Sequence, residues 1–161
     1  MRGELNGNTL IPMITLKDFK PRIVAFLDAG LVRFTSEHPT ENPTTIGIYS
    51  CPWSGWVSLC INVGDTDDTH ETNCPDFKFV RYAFVQLPEW EEEYFSDAQE
   101  VQVSESRIVS PSADKGDEGY NKPFFDFLTE IAKEYFKDGR VRTTWVGVQM
   151  LDSALVEFWK L

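Results

Sequence analysis

The sequence predicts an α+β fold with a mainly antiparallel sheet, packed against an N-terminal helix and a late helix. Two apolar runs, TTIGIYS and WVSLCINV, are joined by the short segment CPWSG, which is typical of a β-hairpin. Two further segments, one near the N-terminus and one late in the chain, have apolar residues at helical spacing. Because strands and helices do not alternate regularly, the pattern excludes a doubly wound parallel sheet.

The first predicted element is a helix in the segment KDFKPRIVAFLDAG, residues 17–30. Asp18 suits the N-cap, Pro21 suits the first turn, and Gly30 suits the C-terminal end. A polar loop with two prolines follows, since proline disfavours regular structure. The residues that fall on one face of this helix are Ile23, Phe26, Leu27 and Leu31.

The predicted hairpin is followed by a third strand, FKFVRYAFVQL, residues 77–87. In the hairpin, Ile46 and Ile48 point to one side, and Val57, Leu59 and Ile61 oppose them. The third strand has apolar residues on both faces, which predicts a central strand covered on both sides. From Pro88 the sequence indicates a helical turn or an acidic loop, and residues 101–103 predict a short strand.

The last third of the chain predicts a second helix and one or two strands. The helix begins at Asn121 or Lys122, has Pro123 in its first turn and ends at Gly139. TTWVGVQM predicts a strand, whereas SALVEFWKL fits helical and strand periodicity equally. We expect one domain over residues 1–161, with residues 1–13 disordered and residues 110–122 forming a mobile loop.

The chain is strongly acidic, with 26 acidic residues against 15 basic ones, a net charge of −11. This balance opposes binding to nucleic acid or to an anionic membrane, because phosphate contacts dominate those affinities. It favours a basic partner, which a negative field would attract. Solubility alone is the competing explanation for the same charge.

Several features predict a cytoplasmic protein. The N-terminus has no continuous apolar region of the kind that a secretory signal needs, and no apolar stretch approaches about 20 residues. The three cysteines are an odd number at irregular spacing and do not form a disulfide framework. They suit a reducing compartment, in which all three remain thiols.

The cysteines and histidines are the candidate residues for nucleophilic catalysis and metal binding. Cys51 could pair with His38 or His70, but no known local signature surrounds it and its segment is explained as a turn. Cys60, Cys74 and the nearby acids lack the cysteine spacing of zinc sites and the glycine and distal glutamate of a calcium loop. No phosphate-binding loop occurs. The sequence therefore predicts no catalytic residue, no metal and no cofactor.

Two acidic clusters and two tryptophans form the candidate partner-binding surface. Trp53 and Trp56 flank the hairpin turn, so they can share an edge of the sheet with an acidic loop. Aromatic side chains supply central anchors in interfaces, and carboxylates steer and pair with basic residues. A solvated charge run beside core tryptophans is the alternative interpretation. The acidic residues are Asp65, Asp67, Asp68, Glu71 and Asp76 in one segment, and Glu89, Glu91, Glu92 and Glu93 in the other.

The order of elements resembles that of the small acidic immunity proteins of bacterial toxin–immunity systems. The resemblance lies in the N-terminal helix, the hairpin TIGIYSCPWSGWVSLCINV, the strand that closes on PEWEEEY and the late helix FFDFLTEIAKEYF. It extends from about Leu16 onward, and none of these strings is a specific signature. The resemblance implies a protein without an active site that binds a cognate toxin and blocks it sterically.

The first hypothesis is therefore a stoichiometric toxin inhibitor with no nucleic-acid or membrane partner. Two alternatives stay open. One is a metal-dependent or cysteine hydrolase that uses Asp65, Asp67, His70 and Cys51. The other is an oligomeric adaptor or scaffold domain.

Overall fold

A computed structural model describes residues 13–64, 71–90, 100–104, 107–109 and 121–161. Besides four short 3₁₀ helices, two α-helices and eight strands lie within these ranges. In chain order, they are β1 (Met13–Thr15), α1 (Lys20–Glu37), β2 (Pro43–Cys51), β3 (Trp56–Val63), β4 (Phe79–Gln86), β5 (Glu100–Ser104), β6 (Arg107–Val109), α2 (Lys122–Tyr135), β7 (Trp145–Met150) and β8 (Val156–Lys160).

The main sheet has five strands in the order β4-β3-β2-β7-β8. All neighbours are antiparallel except β2 and β7, which run parallel. A second, three-stranded sheet has the order β1-β5-β6. The predicted α+β class with a mainly antiparallel sheet is confirmed, and so is the hairpin of β2 and β3.

Both helices pack on one face of the main sheet, and the main core lies between them and the sheet. The apolar stripe of α1 includes Ile23, Leu27 and Phe34, which are all buried. The stripe of α2 includes Phe124 and Leu128, both with no exposed surface. Burying an aliphatic or aromatic side chain of this size contributes about 1.5–3 kcal/mol, so each of these residues stabilises the fold substantially. The strand residues that face the helices include Ile46, Ile48, Leu59, Val146 and Val148.

The first helix does not end at Gly30, as the sequence predicted, but continues to Glu37. Gly30 is buried in the middle of α1, where a Cβ atom would lie 2.8 Å from Leu59 Cδ2 and 3.1 Å from Ala83 Cβ. The glycine therefore allows the helix to approach β3 and β4 closely. The helix ends just before Pro39, because a proline disfavours helical geometry in the residue that precedes it.

Strand β4 lies at an edge of the sheet, so the prediction of a central strand was wrong. The apolar residues of β4 pack on two different sides of the sheet. Phe79 and Ala83 face the helices, whereas Phe84 faces the other side and contacts Trp56. A bulge at Arg81, with φ of 49°, interrupts the alternation and shifts the register against β3.

The remaining elements confirm most of the sequence predictions. Helix α2 begins at Lys122 and ends at Tyr135, with Gly139 beyond it in the left-handed region at φ 70°. The last segment is a strand, β8, because it pairs with β7. Residues 100–104 form the predicted strand, in the smaller sheet. The expectations for residues 1–13 and 110–122 fall outside the described residues, except that Met13 lies in β1, Asn121 is the N-cap of α2 and Lys122 begins it.

The sheet face opposite the helices, here called the second face, carries a row of two glycines. Gly47 and Gly147 are register partners in the parallel strands β2 and β7. A Cβ atom on Gly147 would lie 2.2–2.4 Å from the Phe158 ring, and one on Gly47 would lie 2.5 Å from Cys74 Sγ. Because neither position has a side chain, the Phe158 ring and the Cys74 sulfur rest directly on the backbone of the sheet.

Gly147→Ala is expected to destabilise the protein by about 1–3 kcal/mol, since the added methyl group overlaps the Phe158 ring. In a Phe158→Ala background the space is free, so the same substitution should cost much less. Urea denaturation of the four proteins measures both values. An equal cost of Gly147→Ala in the two backgrounds would show that the ring contact is not the cause.

Candidate functional site

Three aromatic side chains and one arginine form a cluster on the second face, at the β4 side of the sheet. The ring centroids of Tyr49 and Trp56 are 5.5 Å apart, and those of Trp56 and Phe84 are 5.9 Å apart. The Arg81 guanidinium lies 4.7 Å from the Trp56 ring centroid and 4.9 Å from that of Phe84. Cation–π contacts of this geometry fix the arginine over the two rings. Tyr49, Trp56, Arg81 and Phe84 are called the aromatic cluster below.

Strand pairing explains how the cluster forms. Trp56 pairs with Gln86, and Ser58 pairs with Phe84, so Trp56 and Phe84 are diagonal neighbours on one face. The bulge at Arg81 provides the fourth member. The sequence contains one indication that Arg81 is unusual. Simple alternation of side chains places this arginine on an otherwise apolar face of the third predicted strand.

The exposed fractions of the aromatic side chains show that the two tryptophans are not equally accessible. Trp56 is only 9% exposed and forms the base of the cluster, whereas Phe84 is 44% exposed and Trp53 is 40% exposed. Trp53 lies in the turn between β2 and β3. The Gln86 side chain donates a hydrogen bond to the Ser54 carbonyl at 2.9 Å, which ties this turn to the end of β4. Trp53 and Phe84 are therefore the accessible aromatic groups.

Residues 71–78, called the covering segment, lie across the same face. Cys74 and Phe77 are buried against it. The Cys74 N–H donates to Gln149 Oε1 at 2.7 Å, and the Gln149 side chain donates to Asn73 Oδ1 at 2.8 Å. The Lys78 N–H donates to Asn62 Oδ1 at 2.9 Å. Side-chain amides of two strands thus replace the backbone pairing that this segment lacks.

The covering segment brings two of the predicted acidic residues to the second face. Glu71 Oε1 accepts hydrogen bonds from the N–H groups of Thr72 and Asn73, both at 2.9 Å. Asp76 Oδ2 accepts one from the Asn73 side chain at 2.8 Å. An ionised carboxylate has about four acceptor positions, so both groups keep acceptor capacity for a partner.

Glu89 is separated from this face. Its Oε1 lies 2.8 Å from Arg22 Nη1, and Arg22 belongs to α1 on the helix side of the sheet. Burial acts to raise the pKa of Glu89, but a backbone hydrogen bond and the Arg22 charge outweigh it, so the pKa is lowered. Asp65, Asp67, Asp68, Glu91, Glu92 and Glu93 lie outside the described residues.

The described residues of the hydrolase alternative, Cys51 and His38, do not lie close together. Cys51 has no exposed surface, and burial raises the pKa of its thiol. His38 follows α1 and packs against Phe34 and Phe79 in the helix layer, on the other side of the sheet. His70 lies outside the described residues. Within the described part of the chain, no three His, Cys, Asp or Glu side chains are grouped to hold a metal ion.

A groove of about 670 Å³ lies between the C-terminal half of α1 and the residues that follow α2, and the sequence did not suggest it. Its lining includes Asp28, Tyr135 and Arg142. The Tyr135 hydroxyl donates a hydrogen bond to Asp28 Oδ1 at 2.5 Å. Burial and the neighbouring carboxylate raise the pKa of Tyr135, so the phenol stays protonated.

Gln149→Leu is expected to release the covering segment locally, because the Cys74 N–H loses its acceptor. Loss of about 1–1.4 kcal/mol from one hydrogen bond corresponds to roughly 5- to 10-fold faster amide hydrogen exchange at Cys74. The Ile48 amide, in the central strand β2 and outside the covering segment, serves as an internal control and should exchange at an unchanged rate. Unchanged protection at Cys74 would mean that Gln149 does not hold the segment.

Neither helix in the described part of the chain combines the length and the apolar character needed to cross a membrane. No known protein family, no curated protein and no solved structure matches this chain.

Proposed function

We propose that this protein is a cytoplasmic immunity protein that binds a cognate toxin and blocks it sterically. The observation that carries the proposal is the exposure of two aromatic residues, Trp53 in the hairpin turn and Phe84 on the second face, together with Glu71 and Asp76 of the covering segment on that face. This combination suits a basic protein partner, since aromatic anchors and surrounding carboxylates are the two components of such an interface.

The aromatic cluster supports the proposal through its rigidity. Trp56 is buried beneath Phe84, and Arg81 is stacked over both rings. An anchor held in place before binding loses little conformational freedom when the partner arrives. Aromatic residues at the centre of interfaces contribute about 2 kcal/mol or more each, so Trp53 and Phe84 are the residues on which affinity should depend.

The charge of the chain supports a basic partner. Seven ion pairs connect described residues, and each uses one acidic and one basic side chain. Outside these seven pairs the sequence has 19 acidic and 8 basic side chains. This excess leaves a negative field that accelerates encounter with a positively charged protein at low salt.

The cysteine form of the hydrolase alternative has less support. A nucleophilic thiol needs access to its substrate and a nearby base, whereas Cys51 is buried and separated from His38 by the sheet. The metal-dependent form rests on Asp65, Asp67 and His70, outside the described residues.

The double substitution Trp53→Ala, Phe84→Ala is expected to weaken toxin binding about 100-fold or more and to abolish protection. The matched control is Val32→Ala, Val156→Ala, which removes exposed apolar groups elsewhere and should leave binding unchanged. Each variant is co-expressed with the product of each neighbouring gene, and growth and binding affinity are measured. Normal protection by the aromatic variant would reject this surface. If no neighbouring product is both toxic and neutralised by the wild-type protein, the immunity function is rejected.

Reversal of Asp67, Asp68 and Glu71 to lysine tests the acidic component separately. The triple variant should fold normally, associate more slowly with a basic toxin and lose protection. For the wild-type protein the association rate should fall as salt rises from about 0.05 to 0.5 M, because surface charges are then screened. The triple variant should show a weaker salt dependence, because the three reversals remove part of the net negative charge of −11. Full protection by the triple variant would show that these acids are not part of the interface.

A further inference from the structure

Cys60 and Cys74 meet above Gly47 on the second face. Cys60 is the cross-strand partner of Gly47 in the β2–β3 ladder, so its side chain projects beside the empty glycine position. Cys74 Sγ occupies that position, only 2.5 Å from where a Cβ atom of residue 47 would lie. Both cysteines are free and have no exposed surface. The glycine therefore brings the sulfur of the covering segment next to the sulfur of β3.

The surroundings shift the pKa values of the two thiols in opposite directions. The Cys60 sulfur accepts a hydrogen bond from the Arg81 N–H at 3.3 Å. Its interaction with the Cys74 thiol, and then the bond from Arg81, lower the pKa of Cys60 against the opposing effect of burial. The interaction with Cys60, together with burial, raises the pKa of Cys74. Cys60 is thus the sulfur that ionises first, and the thiolate is the nucleophile in thiol–disulfide exchange.

We propose that Cys60 and Cys74 are an oxidisable pair that forms an intramolecular disulfide by exchange with a low-molecular-weight disulfide such as oxidised glutathione. The Cys60 thiolate attacks one sulfur of the reagent, forms a mixed disulfide and releases one glutathione thiolate. Cys74 then loses its proton, attacks the Cys60 sulfur and releases the second glutathione. Two protein thiols are oxidised and one glutathione disulfide is reduced to two thiols.

The covering segment controls access to this reaction. Because both sulfurs are buried, the reagent can reach Cys60 only when residues 71–78 lift from the sheet. The hydrogen bonds to Gln149 and Asn62 oppose this opening. The oxidation rate should therefore follow the local opening of the segment, and Gln149→Leu should increase it by about the same factor as hydrogen exchange at Cys74.

Cys51 provides an internal control. It lies four residues beyond Gly47 on β2, which is about 13 Å along the strand. A disulfide requires Cα atoms about 4.4–6.8 Å apart, so Cys51 cannot replace either member of the pair without movement of the sheet. The new bond would close the loop from Cys60 to Cys74, which contains Glu71 and residues 65–70. This effect on the acidic segment does not depend on the proposed function.

The test uses the full-length native protein with increasing oxidised glutathione. Free thiols are then blocked under denaturing conditions, and the protein is analysed by intact mass and peptide mapping. We expect a mass loss of two hydrogen atoms, a Cys60–Cys74 peptide and a blocked Cys51. The thermal midpoint should rise by about 5–10 °C and return after reduction, since the bond closes a loop of about 15 residues.

Two variants distinguish disulfide formation between Cys60 and Cys74 from nonspecific oxidation of the thiols. Cys51→Ser should form the same disulfide, whereas Cys74→Ser should stop at the mixed disulfide on Cys60. If all three cysteines of the wild-type protein remain free thiols after the native protein is treated with oxidised glutathione, the proposal is overturned. This result does not depend on whether a variant folds. A crosslink that includes Cys51, or one that forms only in denaturant, would overturn it as well.

Discussion

The structure depends on one constraint, which is that the sheet must be covered on both faces by a chain with only two described α-helices. Both helices lie on the same face, so the second face is covered by residues 71–78, Phe158 and the aromatic cluster. Gly47 and Gly147 make this possible, because a thin layer can rest directly on the backbone there. The same face consequently holds the candidate binding surface and the cysteine pair.

The two faces differ in how their contacts are made. The helix face is closed by apolar packing, which is not directional and tolerates small displacements. The covering segment is instead held by directed hydrogen bonds from its own N–H groups to the side chains of Gln149 and Asn62, in addition to the burial of Cys74 and Phe77. Few buried apolar contacts and backbone hydrogen bonds close to solvent are typical of regions that open before the rest of a protein. A binding surface beside such a region can adjust without disturbing the core.

Sequence periodicity was sufficient to predict the elements whose environment is uniform along their length. Helix α2, the hairpin and β7 each have one apolar pattern from start to end, so their existence and type were predicted correctly. Gly30 was misinterpreted because a glycine inside a helix and one at its end look alike until the packing partner is known. Strand β4 was misplaced because its apolar residues serve two different layers and are divided by a bulge.

The candidate surface was less predictable, since it depends on exposure and on strand order. Trp53 and Trp56 are three residues apart, yet one is exposed and the other is buried beneath Phe84.

The bulge at Arg81 has a further effect at the outer edge of β4. There, Arg33 donates a hydrogen bond to the Tyr82 carbonyl, and the left-handed residue breaks the row of backbone groups. An extended chain cannot easily add itself to this edge, so the bulge protects an aromatic-rich strand from aggregation and leaves partners to approach through the side chains.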